Sequence, residues 1–176
     1  MKSYIDPTLP VAGRDSVSTI ARPEPIQIVY EFRQKGSPNA GATQGTVDLV
    51  LSVARQSGLF SEVLLTPASN RRRLIITINS VPAVSQDERN ASAFGAGLRR
   101  DLGDTMVTDT FELAATLSTP GNDPLPFRYR HAMHTAVGDH PEWTGLTGFA
   151  PGAAVGIVVE QLVWSVLRDI SRSGRL

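Results

Sequence analysis

Cysteine is absent from this chain. That one gap excludes disulfides, zinc–thiolate sites and thiol nucleophiles together, and it leaves the redox compartment unread. A surplus charge is missing too: 17 Lys and Arg stand against 17 Asp and Glu, so no global field draws nucleic acid or anionic lipid to the protein. No apolar run approaches the roughly 18 residues that a membrane-spanning helix needs, and residues 1–25 lack the apolar stretch of a signal peptide. A chain of this kind reads as cytosolic, or as beginning at its mature start. Nor does a nucleotide fingerprint appear: Gly95-Ala96-Gly97 and Gly145, Gly148 and Gly152 fit neither GxxxxGK[ST] nor GxGxxG after a strand. No GxSxG elbow is present, and no pair of carboxylates sits at a spacing suited to glycoside chemistry.

What remains is enough for a core. The hydrophobic share is 41% over 176 residues, so neither metal nor disulfide is required to hold one domain together. Residues 1–25 carry Pro7, Pro10, Pro23 and Pro25 among polar residues and show no periodicity. They read as an extended N-terminal tether or arm, with residues 26–176 as a single α+β domain.

From Ile26 the pattern changes. Ile26, Ile28, Tyr30 and Phe32 alternate with Gln27, Val29, Glu31 and Arg33, the period of a strand with one buried face. Lys35 to Asn39 is a cluster of turn residues. Val47, Val50, Leu51 and Ala54 then mark one face of a helix, with Thr43 as its expected N-cap and Gly58 as its stop. Phe60 to Leu65 reads as a strand, Thr66 to Asn70 as a hairpin loop, and Leu74 to Val81 as the next strand, stopped by Pro82. Residues 83–104 read as a glycine-weakened helix or an irregular crossover. Two long alternating runs follow, 107–117 and 127–137, around the turn Pro120 to Pro124. A connection of about fifteen residues, Gly138 to Gly152, is much longer than the usual roughly 4–6 and is expected to be functional or packed on itself. Val155, Val158, Val159, Leu162, Val163, Val166 and Ile170 form the strongest helical stripe in the chain. At about 1.5–3 kcal/mol per buried aliphatic side chain it contributes on the order of 10 kcal/mol before conformational entropy. The expected fold is α+β: a mostly antiparallel sheet of about five strands with two amphipathic helices packed on one face.

All three histidines, His131, His134 and His140, fall within ten residues, beside Asp139 and Glu142. Imidazole with carboxylate is a familiar metal or acid–base set, and it defines one reading: a metal-assisted hydrolase built on His134, Asp139, His140 and Glu142. Geometry opposes part of it, because residues three apart on a strand point to opposite faces. On that geometry His131 is a hydrogen-bonded core residue, while His134 shares the other face with Arg128 and Arg130. Those arginines, like Arg71, Arg72 and Arg73, are either an anion-binding patch or solvated protection of strand ends. No aromatic shares the face of Arg128 and Arg130, and the charge balance is neutral, so nucleic acid is not an expected partner. Trp143, in the long loop, is either an interface anchor or packed on the sheet, and Trp164 lies off the main stripe of the last helix. No catalytic residue, metal ligand or cofactor is assigned. The residues put forward for partner binding are Arg128, Arg130, His134, His140 and Trp143.

As a whole the chain resembles a group of uncharacterised bacterial envelope lipoproteins. The resemblance is carried by Ser3-Tyr4-Ile5-Asp6-Pro7, by Ile28-Val29-Tyr30-Glu31-Phe32-Arg33-Gln34-Lys35-Gly36, and by Ser57-Gly58-Leu59-Phe60. Further on it is carried by Val107-Thr108-Asp109, by the run from Arg130 to Gly138, and by Val159-Glu160-Gln161-Leu162. Arg99 and Arg100 depart from the pattern, which favours a more apolar, glycine-rich segment there. The resemblance implies that Met1 stands at or near a lipidated cysteine and that the protein faces the periplasm anchored to the outer membrane by that lipid alone, and it carries over no catalytic residues. A well-patterned core without a convergent catalytic set, together with the tether, leads to the expectation of a non-enzymatic domain acting through an envelope protein partner, as an assembly factor or an immunity-type protein. A small-ligand or lipid carrier, using the space between helices and sheet, is the third reading.

Overall fold

The computed structural model describes residues 1–82, 105–137 and 146–176. The alternation that begins near Ile26 forms β2, Glu24–Gln34, in which Ile26, Ile28 and Phe32 are buried. Lys35 and Gly36 take positive φ values of 51° and 80° and turn the chain sharply, so that a two-residue strand β3, Ser37–Pro38, pairs back onto Arg33 and Gln34. Helix α1, Ala40–Gln56, follows at once. Its cap is Asn39 and not Thr43: the Asn39 side chain accepts from the Ala42 N–H at 2.9 Å. Thr43 lies one turn inside, where its hydroxyl donates to the Asn39 carbonyl at 2.9 Å and accepts from the Phe32 N–H at 2.9 Å. The hydroxyl thus ties α1 to β2, which gives it a better use than capping. Gly58, at φ 71°, ends the turn after the helix, a conformation open to glycine at no steric cost.

β4, Phe60–Leu64, returns parallel to β2 along Glu24 to Gln27. β5, Arg73–Pro82, also runs parallel to β2, on its other side, from Gln27 to Gln34. Residues 66–70 are therefore no hairpin loop; they carry the chain from one side of β2 to the other. Asn70 anchors the passage by donating to the Pro25 carbonyl at 2.9 Å. The two long runs become β6, Thr105–Ser118, and β7, Leu125–Val137, an antiparallel pair in register from Thr105↔Val137 to Leu117↔Leu125. β6 also pairs antiparallel with β5.

Among the described residues the sheet has seven strands, in the order β1-β7-β6-β5-β2-β3 with β4 beside β2. It is mostly antiparallel, but larger than the expected five. The two strands that periodicity did not reveal are β3 and β1, Lys2–Ile5, whose residues pair antiparallel with Met133 to Ala136 of β7. The proline-bearing stretch after β1 lies against the molecule: Ala12 is buried, and Leu9, Val17 and Ile20 pack on the core.

The second helix among the described residues, α2, spans Pro151–Arg172 and buries Val158, Val159, Leu162, Val163, Val166, Leu167 and Ile170. Together with Val50, Leu51, Val53 and Ala54 of α1, these residues form one core against alternate positions of the strands. Both helices therefore cover the same face. Trp164 belongs to that core as well, with only 5% of its surface exposed. The sheet's other face carries Val29, Val81, Arg128 and Arg130, all exposed.

Candidate functional site

Strand geometry decides what β7 can offer. His131 and His134 point to opposite faces, as their spacing requires. His131 is 2% exposed on the helix side. Its Nδ1 accepts from the Ala132 N–H at 3.0 Å, so the proton sits on Nε2, which donates to Oε1 of Gln161 on α2 at 2.6 Å. A neighbouring polar contact completes the seam: the Tyr129 hydroxyl donates to Asp169, which also accepts from Arg168 Nε at 2.7 Å. Hydrogen bonding from Arg168 holds the Asp169 carboxyl below its ordinary value, while burial first, and then Asp169, push the Tyr129 hydroxyl up. Across the core, burial raises Tyr30 to about 12.

On the outer face, His134 Nε2 lies 3.1 Å from Asp6 Oδ2 and Nδ1 lies 2.9 Å from the Thr108 hydroxyl. Asp6 is held below the usual carboxylate range mainly by the side-chain and backbone hydrogen bonds of Thr8, with a smaller contribution from His134. His134 thus fastens the end of β1 to the sheet. Arg128 and Arg130 project from the same face opposite Ala114 and Glu112, and both are exposed. Between them and β2 runs a shallow depression of about 190 Å³, floored by Thr77 and Ala114 and edged by Arg33 and Arg128. Arg33 is held by Glu31. His140 and Trp143, with Asp139 and Glu142, lie outside the described residues, as does the 83–104 crossover. Among the described residues no three His, Cys, Asp or Glu side chains come close enough to hold a metal ion.

Another concavity lies elsewhere, between the layers. It encloses about 370 Å³ at the end of the sheet where both helices begin. Its apolar wall is Phe32, Phe111 and Met133, with Val155 from the second turn of α2. Asn39 and Ala42 bring in the start of α1, and Pro151 and Gly152 the start of α2. Its polar lining is spread across four strands: Gln34 on β2, Ser80 on β5, Asp109 on β6 and Thr135 on β7. Asp109 is 4% exposed and Thr135 3%; the Thr135 hydroxyl shares a 2.8 Å hydrogen bond with Ser3 of β1. This region was not singled out from the sequence. The available signal was Asp109 itself, an acid in the phase of Val107, Phe111 and Leu113, where the alternation places core residues.

No protein-family model and no curated protein sequence matches the chain. Among solved structures it is similar to rare lipoprotein B of Shewanella oneidensis, with 9% identity over 85% of this chain and 92% of that one and a TM-score of 0.45. It is also similar to a Xanthomonas campestris protein described as DUF330, with 15% identity over 94% of this chain and 90% of that one and a TM-score of 0.43. Likeness at this level supports no inference about activity.

Proposed function

We propose that the protein is a non-enzymatic domain of the bacterial envelope that acts by binding another protein. The observation that carries the reading is the part of the sheet's outer face around Arg128 and Arg130, which no described residue covers. Both helices lie on one side, so Arg128 and Arg130 stand exposed on a rigid, pleated surface that nothing in the described chain occupies. Rigid strands present side chains more precisely than loops do, and arginine is enriched where proteins meet. The envelope assignment, and anchoring near Met1 to the outer membrane, draw on the motif resemblance to envelope lipoproteins. His134 and Asp6 fasten the N-terminal strand to this same face, which would leave any anchored end beside the binding surface.

Cross-linking in envelope extracts tests the reading. A discrete partner is expected with the native protein and is expected to disappear with Arg128→Glu combined with Arg130→Glu. Trp143→Ala supplies a second arm. A partner captured equally by the charge-reversed protein, or none at all, would contradict it.

A further inference from the structure

Arg128 and Arg130 stand beside an open edge as well as on a face. Strand β1 pairs only with Met133 to Ala136 of β7, and Pro7, which has no N–H, cannot extend it. The Thr8 N–H turns back to Asp6 Oδ1 at 2.8 Å. From Leu125 to His131 the outer side of β7 is therefore left without a neighbouring strand among the described residues. Resting on the reading of a protein partner above, we propose that this edge takes up an extended, acidic segment of that partner as an added antiparallel strand, in the line of β1.

The backbone supplies the site. The Asp6 N–H donates to the Ala132 carbonyl at 3.0 Å, and backbone groups point alternately to the two sides of a strand. Arg130 and Arg128 therefore turn their N–H and C=O groups to the open side, with the Pro126 C=O beyond them. No described backbone group pairs with these, and all three residues are exposed. A row of this kind is matched by another strand, the way peptides add to sheet edges. Side chains then choose which strand. Residues opposite Arg128 and Arg130 would lie on the same face as the two guanidinium groups, neither of which has a hydrogen bond or ion pair among the described residues. Opposite charges there stabilise the pairing and like charges destabilise it. A second copy of this chain is disfavoured by that rule, because β7 paired with itself sets arginine beside arginine. On the other face Phe127 and Tyr129 are only half-buried, which gives apolar residues of the incoming strand a place to pack.

Titration of the full chain with a capped synthetic peptide of alternating valine and glutamate tests this, read by amide hydrogen exchange. Exchange at the Arg128 and Arg130 amides is expected to slow on binding. The same peptide N-methylated at its glutamates cannot donate to the edge and should bind about tenfold more weakly. A valine–lysine peptide should bind about tenfold more weakly too, and Arg128→Glu with Arg130→Glu should reverse that preference. Equal binding of the N-methylated peptide, or tighter binding of the lysine peptide to the native chain, would overturn the proposal. So would protection of these amides that rises with protein concentration alone, since a second copy would then hold the edge. Unmoved exchange beside a cross-linked partner that charge reversal still abolishes would overturn strand addition and leave the face-binding reading standing. The converse result would uphold the edge and overturn that reading.

Discussion

The two ends of the interlayer space differ in a way that residue type alone explains. At one end Leu74, Ile76, Leu113 and Leu117 are at most 1% exposed and meet Leu162, Val163 and Val166 of α2. At the other end β5 and β6 place Ser80 and Asp109 in the inward phase, with Thr135 of β7 beyond them, and a cavity opens. The strands continue through both ends with unbroken register. One sheet thus carries a packed half, which supplies stability, and a polar half, which supplies concave surface. Architecture does not change between them; only the side chains in the inward phase do.

That contrast is open to attack. The largest effect should come from Leu162→Ala, which removes a fully buried side chain from the packed half and should cost about 2–5 kcal/mol in urea unfolding. Val155→Ala, on the same helix but at the cavity, should cost about 1 kcal/mol or less. Equal losses at the two sites would erase the distinction between the halves. Next comes Asn39→Ala, which deprives the Ala42 N–H of its partner at the polar end and should lower stability by about 1 kcal/mol; an unchanged midpoint would mean that Asn39 does not cap α1.

The smallest effect concerns acid. Asp169 sits at the polar seam between α2 and β7, and its carboxyl titrates below the ordinary 3.8 in the folded chain. Below 3.8 the unfolded chain takes up this proton before the folded chain does, so stability from Asp169 is complete above that pH and fades as pH falls through the lowered folded value. Asp169→Asn should therefore flatten the decline of the urea midpoint below about pH 4, the remaining slope belonging to Asp6 and other carboxyls. A variant whose midpoint falls as steeply as that of the native protein would exclude Asp169 as a source.

Much of this is legible in the sequence, for specific reasons. β2 and α2 were visible because their apolar residues recur at the periods of a strand and a helix over many positions, and the opposed directions of His131 and His134 followed from the same arithmetic. β1 was not visible, because four residues, Lys2 to Ile5, placed among prolines and polar residues are too few to establish a period. The supposed hairpin after β4 failed for a different reason. Adjacency in sequence suggested that β4 and β5 pair with each other, whereas each pairs with β2, and nothing local distinguishes the two cases. The partners of the candidate residues were equally hidden: Asp6 reaches His134 across 128 positions of sequence. Thr43 and Asn39 are both competent caps, and only the approach of Phe32 assigns their roles.

The pairing of β1 with β7 has a consequence in time. Lys2 lies against Ala136, and Ser3 against Thr135 and Phe149, so β1 waits for segments far later in the chain before it finds its neighbours. Contacts of such wide separation form slowly. Until then β7 has an open flank and the Thr135 hydroxyl lacks Ser3, which makes the unfinished molecule the form most exposed to mispairing and most in need of a chaperone.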